Sequence, residues 1–427
     1  MLNNLPKNWC ECKFSDVCYL QNGYAFDSKS YKEKGTYLIR ISDIQNNEVH
    51  CTNCVKVTEE VDKCFTVSYG DFLLAMSGAT TGKTGVYKDS DKALLNQRVG
   101  NLKIYDKNII IPKFRNYFIS SKRQEIEKLA YGGAQPNISK SMIENLKMLL
   151  PPLEEQGRIV EKIEELFSDI DNGIKDLKIA QAQIKQYRQS VLKSAFEGKL
   201  YKTSEWKEVK LEDVCKFKSG TTIPKDLEHI NGDIPYVKVA DMNLPDNKVE
   251  ICTSSKFGIL SELRESQIIP IGAVIFPKRG GAIATNKKRK VIKPIIIDLN
   301  IMAIIPSEKI NQNFLFYKML SIDLTKLSNG GNIPQINNYS FDNEKILLPP
   351  LPEQQQIVAE IEKRFAVADE MEKAVNDSLL QAEKLKQSIL KQAFAGKLVP
   401  QNPNDEPAAV LLERIKAAKE NSTKGKK

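Results

Sequence analysis

The segment 149–200, LLPPLEEQGRIVEKIEELFSDIDNGIKDLKIAQAQIKQYRQSVLKSAFEGKL, occurs twice: residues 347–398 read LLPPLPEQQQIVAEIEKRFAVADEMEKAVNDSLLQAEKLKQSILKQAFAGKL. Pro151 recurs as Pro349 and Gly198 as Gly396 at one constant displacement, without a gap. A repeat of this length implies duplicated architecture. Pro151 and Pro152 cannot continue a helix from upstream but can precede one. Beyond them Ile163, Phe167, Ile170, Ile174, Leu177, Gln181, Ile184, Arg188, Val191 and Ala195 fall at alternating steps of four and three. This is a heptad seam sustained over about five repeats. In the second copy Ile361, Phe365, Ala368, Val375, Leu379, Ala382, Ile389 and Ala393 keep the same register. Polar exceptions (Gln181, Arg188, Glu372, Lys386) are of the kind that fix register at some cost in stability. Gly198 follows the last apolar pair and suits a left-handed C-terminal cap. Two matched seams predict helices that pair with each other; the alternative is two independent surface helices, each packed on its own domain.

The regions between the helices also correspond, more loosely. NWCECKFSDVCYLQNG (8–23) finds a counterpart in EWKEVKLEDVCKFKSG (205–220), and YLIRISDI (37–44) in YVKVADM (236–242). YGDFLLAMSGATTGKTGVY (69–87) parallels IGAVIFPKRGGAIATNKK (271–288), a buried strand running into a Gly-rich loop. A third strand near Leu95 has a partner near Leu299, and GGAQPNIS (132–139) parallels GGNIPQIN (330–337). The layout is α+β: a strand-rich head at 1–150, a helix at 151–200, a second head at 201–348, a helix at 349–399, and a basic tail at 400–427. Short connectors make the second head begin where the first helix ends. Paired helices would then run antiparallel about a pseudo-two-fold axis, with about 38 helical residues separating the heads by roughly 55 to 60 Å.

At 427 residues the chain is long enough for two or three domains with their own cores. No apolar run approaches a membrane span, and MLNNLPKNWCECK lacks an export-signal pattern, so the expected location is cytoplasmic. Eight cysteines without an export signal read as free thiols. Cys51 and Cys54 have zinc-knuckle spacing, but the second copy keeps only Cys215 and Cys252, so the fold cannot depend on a metal there. The net charge of +9 is compatible with a polyanion partner.

GATTGKT (78–84) resembles a phosphate-binding loop but has three residues between its glycines where the nucleotide-binding motif needs four. Ser77, Thr80, Thr81 and Lys83 instead suit contacts to a DNA backbone or base edge. The densest positive charge is Lys278 and Arg279, followed by Asn286, Lys287, Lys288, Arg289 and Lys290, on the matching loop of the second head. A charge run is usually a solvated face; its place opposite Thr80 and Lys83 makes these residues candidate DNA contacts. Arg40 and Lys238 occupy the polar turns after matched strands. Gln97, Arg98 and Asn300 sit beside the third strand, and Gln135, Asn137, Gln335 and Asn337 on the Gly-rich turns. Amide and guanidinium groups are the ones that read adenine and guanine edges bidentately.

No glycine-rich S-adenosylmethionine loop, no Asn/Asp-Pro-Pro-aromatic tetrad and no Ser-His-Asp set is present. Two diverged heads alternating with two near-identical helices, each opening on LPPLxEQ and closing on AFxGKL, resemble the specificity subunit of Type I restriction-modification enzymes. GDFLLAMSG, LNQRVG and GGAQPNIS look like that family's head landmarks, while LNIMAI departs from it and makes Asn300 a doubtful equivalent of Gln97. The resemblance implies that each head reads half of a bipartite, non-palindromic DNA site. It implies that the helices space the heads and dock two methyltransferase (modification) subunits, to which two restriction/translocation subunits can add. Catalysis, S-adenosylmethionine, ATP and Mg would then belong to those partners, and this chain would be no enzyme. The competing readings are a coiled-coil adaptor without sequence-specific DNA binding and a zinc-dependent or nucleotide-dependent enzyme in the first head.

Overall fold

A computed structural model of the chain describes residues 5–131 and 136–424. They fall into two compact units, one formed by residues 1–176 with 378–427 and the other by 177–377.

The first unit is built on the strand Phe72–Ala75, whose four side chains are all buried. Successive side chains of a strand point to opposite faces, so Phe72 and Leu74 enter a core shared with helices, while Leu73 and Ala75 enter a second core. Val99–Ile104 flanks this strand on one side and Thr84–Tyr87 on the other, both antiparallel, within a six-stranded sheet. A four-stranded sheet places Thr36–Ile39 between Val55–Val57 and Ala93–Leu95. Cys10–Lys13 pairs antiparallel with Lys147–Leu150, immediately before the long helix.

The second unit uses the same devices. Val274 and Phe276 of the strand Val274–Pro277 face the helix-bearing core, and Ile275 faces the other. Ile301–Pro306 and Arg289–Val291 flank that strand antiparallel. Ile234–Val237 lies between Phe257–Gly258 and Ile295–Ile297, and Lys207–Lys210 pairs with Lys345–Leu348. Each large apolar side chain buried this way contributes about 1.5–3 kcal/mol, so these double-faced strands supply much of each unit's driving force. Gly23 and Gly220 recur where an added Cβ would lie 2.2 Å from Asn96 O and 2.1 Å from Asp298 O, a fit only glycine allows.

Two helices of 44 and 43 residues, Leu153–Phe196 and Leu351–Ala393, follow the proline pairs. Their motif LPPLxEQ does three local jobs. The prolines stop any upstream helix. The glutamine is fully buried: Gln156 accepts from Ile111 N (2.9 Å) and donates to Ile109 O and Pro151 O, and Gln354 does the same with Asn311 N (2.7 Å), Lys309 O and Pro349 O. The glutamate is the third part: Glu353 accepts from Thr203 N, Ser204 Oγ and Trp206 Nε1. At the far ends Gly198 and Gly396 take φ of +70° and +67°, the left-handed closure that terminates both helices.

Between residues 163 and 191, the seam positions Ile163, Phe167, Ile170, Ile174, Leu177, Ile184 and Val191 are all buried or half-buried. So are Ile361, Phe365, Val375, Leu379 and Ile389. Within the second unit Gln181 donates to Asn376 (2.8 Å), and Arg188 pairs with Asp369 (2.6 Å) and Glu372 (3.1 Å). One helix ascends in number where the other descends, so these contacts are antiparallel. Within the first unit Lys386 meets Asp171 at 2.5 Å and lies over the Phe167 ring. Gln181, Arg188, Glu372 and Lys386, which interrupt the seams, are thus the residues that bond across them.

The stretch 400–427 differs from the basic tail expected of it. Ala408–Lys424 is a helix whose Ala408, Leu411 and Ile415 are buried in the first unit's core. Asp405 pairs with Arg158 at 2.5 Å, and Ala408 N donates to Asn8 O. Arg414 and Lys416 are exposed, off this apolar stripe.

Candidate nucleic-acid interface

In each unit one rim gathers the loops singled out from sequence. In the first, the chain beyond Phe72–Ala75 is tied down by backbone bonds: Met76 N donates to Arg98 O, Ile138 N to Met76 O, and Gly78 N to Pro136 O. Ser77 forms a bridge with Asn137, and Tyr24 with Asn96. Asn96 N reaches Ile39 O beside Arg40, and an added Cβ on Gly78 would touch Ile41. Arg40, Ser77, Gln97, Arg98 and Asn137 therefore share one edge with Tyr24, a residue that no motif in the sequence marks out. Gln97, Arg98, Asn137 and Lys83 are exposed. Arg40 lies 3.6 Å from Asp43, an ion pair too long for a hydrogen bond. Ser77 Oγ and Thr80 Oγ1 are buried without a hydrogen-bond partner among the described residues. Thr81 is committed elsewhere: its hydroxyl donates to Gly78 O at 2.7 Å and closes the turn. Gln135 lies outside the described residues.

The second unit repeats the frame. Lys278 N donates to Asn300 O, Ile336 N to Lys278 O, and Gly280 N to Pro334 O, and Arg279 bridges Gln335. This register corrects an equivalence: Asn300 stands where Arg98 does, and Leu299 holds the place of Gln97. Asn300 donates to Asp298 Oδ1 at 2.7 Å, a tether that orients its amide. Gln335 donates to Asn337, which donates to the exposed Tyr339 hydroxyl at 2.7 Å, a chain of polar groups along the rim. Arg279 is exposed; Lys278 donates to Ser219 Oγ at 2.9 Å, and burial pushes its pKa down, with Arg279 adding to the effect.

The cationic run turns inward, against expectation. Lys288 is only 2% exposed and donates to Ile322 O at 2.6 Å and Asn286 Oδ1 at 2.7 Å; burial lowers its pKa to about 8. Arg289 donates to Asn247 O, to Lys288 O and to Met242 O. Asn286 sits at a left-handed helix end and accepts from Leu324 N. Lys287 donates to Asn243, and Lys238 is held by both oxygens of Glu228. These side chains brace loops. Charge density cannot reveal this, because a strand flanked on both faces must send some of its side chains inward.

Among the described residues no group of three or more His, Cys, Asp or Glu side chains could hold a metal ion. No helix among them is long and apolar enough to cross a membrane.

The family model of the Type I restriction modification DNA specificity domain matches the chain twice, over residues 6–178 and 203–381. The chain is 27% identical to the specificity subunit of the type I restriction enzyme StySPI of Salmonella potsdam over 97% of its length and 96% of the relative's. It is likewise 27% identical to that of EcoKI of Escherichia coli K12, with the same coverage. Among solved structures it is similar to a chain from work on complex assembly and conformational transition of the type I R-M system, with TM-score 0.70 and 20% identity over 92% of this chain and 99% of that one. The HsdS subunit from Thermoanaerobacter tengcongensis follows at TM-score 0.50 and 19% identity, over 93% and 99%. With both head-and-helix copies matched along nearly their whole length, the chain belongs to the Type I restriction-modification DNA specificity family.

Proposed function

We propose that each unit reads one half of a bipartite, non-palindromic DNA site through its rim, and that the two long helices pair along their length as an antiparallel coiled coil that sets the unread spacer. The chain is a DNA target-recognition subunit, and not itself the catalyst of a Type I restriction-modification complex. Its partners are double-stranded DNA and the methyltransferase and restriction subunits. The observation that carries this reading is the double match to the specificity-domain model, one copy per rim.

The rims supply suitable chemistry for different half-sites. The first rim carries Ser77, Thr80, Gln97, Arg98 and Asn137; the second carries Arg279, Leu299, Asn300, Gln335 and Asn337. An exposed guanidinium suits guanine O6 and N7, and an amide suits adenine N6 and N7. An apolar side chain where the first rim has glutamine favours the thymine methyl. Unlike rims on matched frames require unlike half-sites, and matched helices support a pseudo-two-fold placement that presents them in inverse orientation. The seam burial, the antiparallel bonds within the second unit and the Lys386–Asp171 pair within the first favour a coiled coil over two unrelated surface helices. They also favour this reading over a plain adaptor, which would need no matched polar rims.

Selection from random duplexes by the chain with its modification subunits, followed by methylome sequencing, tests the proposal. The expected result is two dissimilar half-sites at a fixed separation. One contiguous motif, a palindrome or no enrichment would overturn it.

A further inference from the structure

Away from the rim, the first unit holds a pair of thiols that DNA recognition does not use. Cys51 and Cys54 belong to a single 3-10 turn, Cys51–Asn53, closed by the bond from Cys54 N to Cys51 O. Side chains three apart in such a turn eclipse one another, and a rise of about 2.0 Å per residue sets their Cα atoms roughly 6 Å apart. That separation lies inside the range of about 4.4–6.8 Å that a disulfide spans. The Cys54 thiol donates to His50 O at 3.8 Å, and Cys51 Sγ lies 3.3 Å from the Tyr87 hydroxyl. Both residues line a surface cavity of about 660 Å³ together with Tyr37, Lys56, Lys88 and Asp89, Cys54 half-buried and Cys51 6% exposed. Asp89 accepts from Cys51 N at 2.5 Å and holds the turn from outside.

We propose that Cys51 and Cys54 are a reversible dithiol–disulfide modification site for small hydroperoxides. Cys51 is the attacking sulfur. The neighbouring Cys54 thiol and the Tyr87 hydroxyl hold its pKa below the ordinary thiol value, whereas Cys54 is pushed up by Cys51 and by burial. With hydrogen peroxide, the Cys51 sulfur attacks one oxygen, the O–O bond breaks, and the first water departs to leave a sulfenic acid; an alkyl hydroperoxide releases its alcohol instead. The Cys54 sulfur then attacks Cys51, the S–O bond breaks and a second water departs. The two thiol protons end in the waters; the peroxide is reduced and the cysteine pair oxidised. Dithiothreitol reverses the change. The exposed thiols are Cys64 and Cys252; the nearest cysteine in sequence is ten residues from the first (Cys54) and thirty-seven from the second (Cys215).

The test uses the full-length chain. After graded hydrogen peroxide, free thiols are blocked with iodoacetamide, and thiols released by dithiothreitol are labelled with N-ethylmaleimide and mapped by mass spectrometry. The peptide carrying Cys51 and Cys54 should take two N-ethylmaleimide groups at peroxide levels where Cys64 and Cys252 still take iodoacetamide. In Cys54→Ser the paired signal should be lost and Cys51 should react with dimedone; in Cys51→Ser, Cys54 should stay reduced. The proposal fails if the wild-type pair remains fully alkylated by iodoacetamide, if it oxidises only alongside Cys64, or if native mass spectrometry shows a stoichiometric zinc ion that blocks oxidation.

Discussion

Replacing Lys288 with methionine separates two accounts of the cationic run. If the run met DNA, one lost phosphate contact would lower the slope of log binding constant against log salt by about 0.9. In the structure the ammonium lies inside the second unit, between Ile322 O and Asn286 Oδ1, with its pKa lowered from 10.5 to about 8. The unfolded chain therefore binds more protons than the folded one between roughly pH 8 and pH 10.5, so this lysine makes stability rise with pH across that window. Each tenfold loss of proton affinity is worth about 1.4 kcal/mol, so the charged form below pH 8 costs roughly 3 kcal/mol, a penalty fully relieved only near the unfolded pKa. Methionine removes the proton uptake, and it also leaves two buried acceptors without a donor, at about 1–3 kcal/mol. Urea unfolding of the full chain, followed by probes in the second unit, should thus show wild type gaining on Lys288→Met as pH rises from 7 to 10. The difference between the two isolates this group from the cysteines and tyrosines that titrate nearby. DNA binding measured from low to moderate salt should keep the same slope in both proteins. A flat stability difference together with a slope reduced by about one would refute the buried assignment.

Arg98→Ala should weaken binding and relax discrimination in one half-site by about 1–3 kcal/mol, and Arg279→Ala should do so in the other, read by competition with duplexes altered in one half at a time. Loss in both halves from one substitution would contradict separate rims. Gln354→Ala strands Asn311 N and two carbonyls in a buried setting, an expected cost of about 2–4 kcal/mol that should appear as faster exchange of the Asn311 amide; Gln156→Ala should act likewise at Ile111. Inserting a heptad before Gln181 and another after Asn376 preserves their facing pair and adds about 10 Å of helix. The methylated site should then gain roughly three base pairs of spacer with both halves unchanged, at about 3.4 Å per base pair. An unaltered spacer would mean the helices do not set the distance.

What the sequence made legible was whatever repeats over a few residues. The seam from Ile163 to Val191 is a local period, and burial follows it position by position. Leu299 in the place of Gln97 was within reach as well, because Met76 to Arg98 and Lys278 to Asn300 span equal lengths and the backbone bonds follow that count. The inward turn of Lys288 was not within reach. It depends on a six-residue 3-10 stretch, Gly280–Thr285, where the first unit has Gly78–Thr80, and on a carbonyl at Ile322. The chain's two ends show the same limit from another side. Trp206 packs beside Gly198, just after the first long helix, where an added Cβ would lie 3.5 Å from its ring. Its mate Trp9 packs beside Gly396, just after the second long helix: an added Cβ there would lie 3.4 Å from the Trp9 ring and 2.4 Å from Pro6. Lys7 N donating to Gln401 and Asn8 donating to Asp405 O secure the same junction. The turn that closes the second long helix thus gives Trp9 the seat that the turn closing the first gives Trp206. The bonds of Lys7 and Asn8, with Ala408, Leu411 and Ile415 in the core, hold the residues after Leu398 against the first unit instead of leaving them as a tail.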